Sequence, residues 1–377
     1  MDGMAKAMHL MIVFCAAAAL SACLPRCAAA VPAMGEEPLL TAESVHDVTW
    51  MPDSRALAVN TDRALVLVEP HGPRILLEAN GALSPDGNRI LYADATGRLF
   101  LQDVRDGAVL DLGLAGAHPR WAPRGARFAY YSDGRCPAGA AAPYCPPAGL
   151  VAADLEAGEL VPLNPGAGPD GNYDWLPGAS GVVYFDNGEL GIARADAATN
   201  TLLTRVAPFP CPPEAPCQAW VAVARRAPRA AAFLFNDRNK DGAWDSNDAA
   251  ALVVFDTGTG QMLHTDPSAW FLSPGELSAG LRPRGITWSP DGSMLCYVAR
   301  DAQGFFLMFL PFSGDMQPLV LRTRGRPDLP RWSPDAEALA YVLVRDDASS
   351  PAGAMSELRL VRFGNEPGSA ADAPAAR

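Results

Sequence analysis

The chain has 377 residues, 49% of them apolar, and a formal net charge of −12. That apolar content suits a large core and is too high for a disordered chain, while the acidic balance repels phosphate backbones and argues against nucleic-acid binding. With 34 glycines and 35 prolines, many turns and little long helix are expected.

The N-terminus reads as a targeting segment. Lys6 precedes an apolar run over residues 10–20, too short and too rich in alanine to span a membrane. It ends in Leu20-Ser21-Ala22-Cys23, which resembles the lipobox of bacterial lipoproteins. The resemblance implies a signal peptide over 1–22, lipid attachment at Cys23 and export. On the same resemblance, Leu24 in place of Asp after the cysteine implies outer-membrane sorting. The alternative is ordinary cleavage after Ala30 and a soluble periplasmic or secreted product. Residues 23–36 are expected to be a flexible tether, 37–364 the folded domain and 365–377 a polar tail.

A short pattern recurs along the domain. Its copies are Val48-Thr49-Trp50-Met51-Pro52-Asp53, Leu83-Ser84-Pro85-Asp86-Gly87, Pro119-Arg120-Trp121-Ala122-Pro123 and Tyr173-Asp174-Trp175-Leu176-Pro177. They continue with Gln218-Ala219-Trp220-Val221-Ala222, Gly285-Ile286-Thr287-Trp288-Ser289-Pro290-Asp291-Gly292 and Pro330-Arg331-Trp332-Ser333-Pro334-Asp335. Six of the eight tryptophans occupy the same place in this pattern. Each would end an inner strand and pack between neighbouring sheets, and Pro-Asp-Gly would turn the chain into the next strand. Three further strand-like runs follow an anchor, as at 89–93, 98–103 and 108–112, or 294–298, 305–310 and 317–321. The last anchor has only two, 338–344 and 357–363. Residues 37–41 look like the strand it lacks.

These anchors resemble the WD-like repeats of TolB-type propellers, over about residues 38–364. The resemblance implies an all-β propeller; the seven anchors make it seven-bladed, with four-stranded antiparallel blades, and the strand-like run before the first anchor is expected to close it by pairing of the N- and C-terminal strands. Six blades is the alternative, if Trp220 is a false anchor. TolB itself, as the family is known, adds an N-terminal α/β domain to a six-bladed propeller, and no room for that domain precedes the first repeat here.

Cys136 and Cys145 bracket one loop, and Cys211 and Cys217 another. Each close pair reads as a local disulfide suited to an oxidising compartment. Cys296 lies in an apolar run and is expected to be a buried thiol. Residues 237–248 match a calcium-loop pattern, with oxygens from Asp237, Asn239, Asp241, Asp245 and Asp248, the carbonyl of Ala243, and Gly242 at the sharp turn. The flanks read as strands, so a structural calcium ion is expected and sensor behaviour is not.

No nucleophile elbow, zinc-protease helix, phosphate loop or dinucleotide fingerprint is present. His118 and Asp174, near inner strands, are the weak catalytic candidates. The primary expectation is therefore a non-enzymatic envelope scaffold for protein, peptide or glycan. The alternative is a propeller lyase, lactonase or glycosidase with a site in the central channel. Alternating strand direction places the second-to-third loops and the inter-blade links on one face. Most long insertions fall there, with Trp270 and Phe271 as candidate apolar anchors and Arg322, Arg324 and Arg326 as candidate partners of acidic groups.

Overall fold

A computed structural model describes residues 29–30, 37–135, 146–165, 172–186, 189–194, 200–205, 221–236, 249–266, 285–312, 316–346 and 354–363. Two short elements come first, β1 (Ala29–Ala30) and β2 (Glu37–Ala42). The first full sheet is β3 (Val45–Trp50), β4 (Leu57–Thr61), β5 (Leu65–Glu69) and β6 (Gly72–Leu77). Next come β7 (Ala82–Leu83), β8 (Arg89–Ala93), β9 (Arg98–Asp103), β10 (Val109–Trp121), β11 (Arg127–Ser132), β12 (Gly149–Asp154) and β13 (Glu159–Pro165). β14 (Asn172–Trp175), β15 (Gly181–Asp186), β16 (Glu189–Arg194) and β17 (Asn200–Arg205) form another sheet. So do β18 (Val221–Val223), β19 (Arg229–Asn236), β20 (Ala249–Asp256) and β21 (Met262–Asp266). The last strands are β22 (Ile286–Trp288), β23 (Met294–Asp301), β24 (Gly304–Pro311), β25 (Leu319–Arg322), β26 (Arg326–Trp332), β27 (Ala338–Asp346) and β28 (Ala354–Arg362).

The hydrogen-bonded partition differs from the expected seven, or six, separate four-stranded blades. Five blade-sized sheets stand apart: β3 to β6, β14 to β17, β18 to β21, β22 to β25 with β1 added, and β26 to β28 with β2 added. The strands β7 to β13 form one seven-stranded sheet instead. The reason is β10. The run from Leu110 to Gly116 holds no proline, so the strand continues from the outer edge of β9 to the inner edge of β11. A shift in register between Asp111 and Ala115, with Gly113 at φ 65°, absorbs the change of direction. β1 adds to β25 in parallel, Ala29 beside Leu319.

The expected N-to-C closure must also be restated. β2 pairs antiparallel with β28, from Glu37 beside Leu360 to Ala42 beside Ser356. Among the described residues, no backbone ladder joins that sheet to the sheet starting at β3. Packing brings the two together. Val45, Val48, Leu57 and Val59 meet Leu329, Ala340, Val342 and Leu358 in one buried cluster. Similar clusters fill the other interfaces in turn.

Four of the tryptophan anchors add a polar tie across a seam. The indole N–H of Trp50 donates to Arg331 O at 2.9 Å, that of Trp121 to Ala82 O at 2.8 Å, that of Trp175 to Arg120 O at 3.1 Å, and that of Trp288 to Ala222 O at 3.1 Å. Each acceptor lies on an inner strand that precedes the anchor around the ring, and for Trp121 that strand, β7, belongs to the same seven-stranded sheet. Each of these four anchors thus buries a large ring and satisfies its own donor across the seam. Trp332 is held by stacking on Phe363, ring centroids 4.9 Å apart.

The Ser-Pro-Asp-Gly turns show why the serine recurs. Ser289 Oγ donates to Asp291 at 2.6 Å and accepts the Met294 amide at 2.9 Å, and Gly292 N donates to Ser289 O at 2.8 Å. Ser84 and Ser333 repeat the arrangement. These serine hydrogen bonds are the leading cause that holds the Asp86, Asp291 and Asp335 carboxyls below the ordinary range. The third turn ends in Ala336 with φ 64°, where Gly87 and Gly292 both sit at φ 74°. A Cβ is disfavoured in that region by about 1–2 kcal/mol, partly offset by the greater freedom of glycine in the unfolded chain. Ala336→Gly should therefore raise stability by roughly 0.5–1 kcal/mol in urea denaturation. A loss of stability would show that the turn is unstrained.

A polar central channel and a loop-bearing face

The inner strands surround a cavity of about 870 Å³. Its wall includes His46 and Asp47 on β3, His118 and Arg120 on β10, Asn172 and Asp174 on β14, with Arg225, Thr287 and Arg331. Among the described residues, three arginines against two aspartates leave the wall net positive in a chain of charge −12.

Repetition of the strand pattern explains this lining. Inner strands alternate residues between the seam and the channel. Just before two of the anchors, Pro-Arg-Trp follows a shift in register, between Ala117 and Arg120 in β10 and between Asp328 and Arg331 in β26. Both shifts carry a left-handed residue, His118 at φ 52° and Leu329 at φ 48°. Arg331 donates to Val48 O at 3.0 Å and to the Asp47 carboxylate at 2.8 Å. Arg120 donates to Tyr173 O, and its guanidinium lies 5.2 Å from the Tyr173 ring centroid. Arg225 donates to Trp175 O and to Asp174, both at 3.2 Å. The channel arginines thus clasp neighbouring inner strands.

The two weak catalytic candidates, His118 and Asp174, both line this channel. The Asp174 carboxylate accepts the Val223 and Trp175 amides, each at 2.8 Å, besides Arg225. Those contacts commit it to holding strands together. Tyr173 behind it is fully buried, and burial pushes its phenol well above the ordinary range. Its hydroxyl donates to Ala129 O at 2.6 Å and lies 2.8 Å from His118 O. Sequence reasoning passed over Tyr173, Arg120 and Arg331. The repeated Pro-Arg-Trp was the available signal for the last two.

Antiparallel pairing puts the β4–β5, β8–β9, β11–β12, β19–β20, β23–β24 and β27–β28 connections at the face where the inner strands begin. The candidate calcium ligands Asp237, Asn239, Asp241, Ala243, Asp245 and Asp248 lie outside the described residues. Their flanks are described: Asn236 pairs with Ala249, so residues 237–248 bridge a β-hairpin. Cys23, Cys136, Cys145, Cys211, Cys217, Trp270 and Phe271 also lie outside the described residues. Cys296 is a buried free thiol. Arg322 sits at this face, but its charge is already met by Asp301, at 2.7 and 3.1 Å, and its guanidinium lies over the Phe306 ring. This pairing lowers the Asp301 carboxyl and raises the Arg322 guanidinium from their ordinary values. Arg324 is exposed, and Arg326 is half-buried at the start of β26.

No model of a known protein family matches the sequence, and no curated protein matches it. Solved structures do. The β-propeller domain of Myceliophteria thermophila Cps50 (Swd1) aligns with a TM-score of 0.51 at 12% identity, over 86% of this chain and 99% of that one. A chain of the mitotic checkpoint complex aligns with a TM-score of 0.51 at 13% identity, over 88% and 94%. TolB from Acinetobacter baumannii aligns with a TM-score of 0.41 at 14% identity, over 83% and 63%. The fold is a β-propeller. At these identities the likeness concerns architecture alone.

Proposed function

We propose that this propeller is an exported, lipid-anchored cell-envelope scaffold that binds a protein partner through its loop-bearing face. The observation that carries the reading is the gathering of the long connections on the face where the channel-lining inner strands begin. Loops held by a rigid ring of sheets make a preorganised surface, which lowers the ordering cost of binding. A partner in complex is also the setting in which the checkpoint-complex neighbour was solved. The lipobox-like string ending at Cys23 supports export and anchoring. A calcium ion held by residues 237–248 would fix the hairpin at this face; the strand-flanked loop supports that assignment. A channel enzyme is the second reading, favoured by the two histidines in the wall and opposed by the clasped state of both aspartates.

One experiment tests the scaffold reading. A photo-crosslinking residue is placed at 270, 271 or 324, and separately at 105 or 159 in the short turns of the other face. Intact envelopes are irradiated with calcium or with a chelator. A discrete crosslinked partner is expected from the first set only, weakened by chelation, on protein whose Cys23 carries lipid by mass spectrometry. Equal crosslinking from both faces would overturn the dedicated face. Unchanged crosslinking after chelation would remove calcium from the account.

A further inference from the structure

Strand direction fixes where the N-terminal tether reaches the ring. β22 begins at the loop-bearing face and each later strand of its sheet reverses the one before, so β25, the fourth, ends at that face. β1 lies parallel to β25, Ala29 beside Leu319 and Ala30 beside Val320, and so runs toward the same face. β2 runs that way too, antiparallel to β28. The chain before Ala29 therefore arrives from the opposite side, the face of the short turns. Cys23 stands six residues before Ala29, a reach of no more than about 22 Å when fully extended. We propose that the rim of the ring at this point rests on a lipid surface, with Met262, Leu263 and Met316 entering it and the loop-bearing face turned away. This orientation rests on the lipid attachment at Cys23 proposed above.

Among the described residues, the exposed large apolar side chains are Ile75, Val109, Leu110, Met262, Leu263 and Met316. Three of them lie where the tether arrives. Met262 and Leu263 open β21 directly after its short turn and are 50% and 42% exposed. Met316 precedes β25 and is 52% exposed. The two sheets that carry them pack together at this end: the His264 and Phe312 rings meet edge to face, centroids 6.1 Å apart, and Arg229 donates to Phe312 O at 3.4 Å. Charge sets this sector apart. Residues 257–263 and 316–321 hold no charged side chain. Of the flanking carboxylates, Asp256 accepts the Gly258 and Thr259 amides at 2.9 and 2.8 Å, and Asp315 lies outside the described residues. Elsewhere on the rim, Ile75 follows Arg74, and Val109 and Leu110 precede Asp111. The turns at Asp86, Asp291 and Asp335 join inner strands to second strands, so their carboxylates stand toward the middle of the short-turn face. Taking charge out of water is costly and burying apolar side chains is favourable. Contact with lipid is therefore confined to the uncharged rim beside the tether, and the disc does not lie flat.

The test uses the full lipidated chain in vesicles of palmitoyl-oleoyl phosphatidylcholine, with or without the same lipid brominated in its acyl chain. A fluorescent amino acid is placed at 316 on the rim, at 105 in a short turn away from the tether, or at 324 on the loop-bearing face. Brominated lipid should quench emission at 316 by about twofold or more and leave 105 and 324 unchanged. Met262→Glu with Leu263→Glu should abolish the quenching at 316, and the thermal melt should hold because both residues are exposed. If that variant unfolds, the comparison of 316 with 105 and 324 still decides. Equal quenching at 105 would show a disc lying flat, quenching at 324 alone an inverted one, and undiminished quenching in the folded glutamate variant an insertion that does not involve these residues; each overturns the proposal. Mass spectrometry of Cys23 separates it from the reading it rests on. Without lipid on Cys23 the anchored reading falls and the orientation with it, whereas lipid on Cys23 with no quenching at 316 removes the orientation alone.

Discussion

Replacing Trp175 by alanine should lower the unfolding free energy by about 3–5 kcal/mol, measured by urea denaturation. The indole is 1% exposed and packs with Tyr173, Val182 and Ala193 on its own sheet and with Ala122, Ala129 and Leu150 across the seam. Alanine would leave a cavity between two sheets, each of which is held in place by its other neighbours and cannot collapse to fill it. The hydrogen bond contributes separately. Trp175→Phe keeps most of the ring but deprives Arg120 O of its 3.1 Å donor, and should cost about 1–3 kcal/mol. Should the alanine variant lose no more than the phenylalanine variant, the anchor would act through its N–H alone and the packing account of the repeat would be wrong.

Gly116→Ala should be at least as damaging as an overpacked core, about 3 kcal/mol or more. A Cβ on Gly116 would stand 2.1 Å from Tyr131 O and 2.7 Å from the Tyr130 ring. Neither neighbour can yield. Tyr131 O belongs to the backbone of β11, whose ladder with β10 begins at this residue, Gly116 beside Ser132. The Tyr130 side chain is fully buried against Trp121, Phe128 and Val151. Gly116 N also donates to Gly97 O at 2.8 Å, which ties the end of β9 to the same point. Here β10 passes from one set of partners to the other, so alanine should loosen both halves of the seven-stranded sheet. Hydrogen exchange should then rise in β9 and β11 together. A rise confined to β11 would show that the halves behave as independent units.

Much of this protein was decided locally, and those parts were legible in the sequence. Tryptophan placement, Pro-Asp-Gly turns and short β-rich runs set where strands end and reverse, because turn chemistry and side-chain alternation act within a few residues. Residues 37–41 were legible as a strand in search of an edge, and residues 237–248 as a loop between strands. The tertiary structure decided what depends on residues distant in sequence. β10 runs through because no proline interrupts residues 110–116, the register shift at Gly113 being absorbed, and because β9 and β11 both pair with it. The role of Arg331 depends on Asp47, 284 residues away, and that of Arg120 on a strand 53 residues on. Two identical Pro-Arg-Trp strings therefore read alike in the sequence. They come apart only when the ring sets Arg331 against the Asp47 carboxylate and Arg120 against the Tyr173 carbonyl and ring, since a guanidinium takes its chemical role from the group it faces.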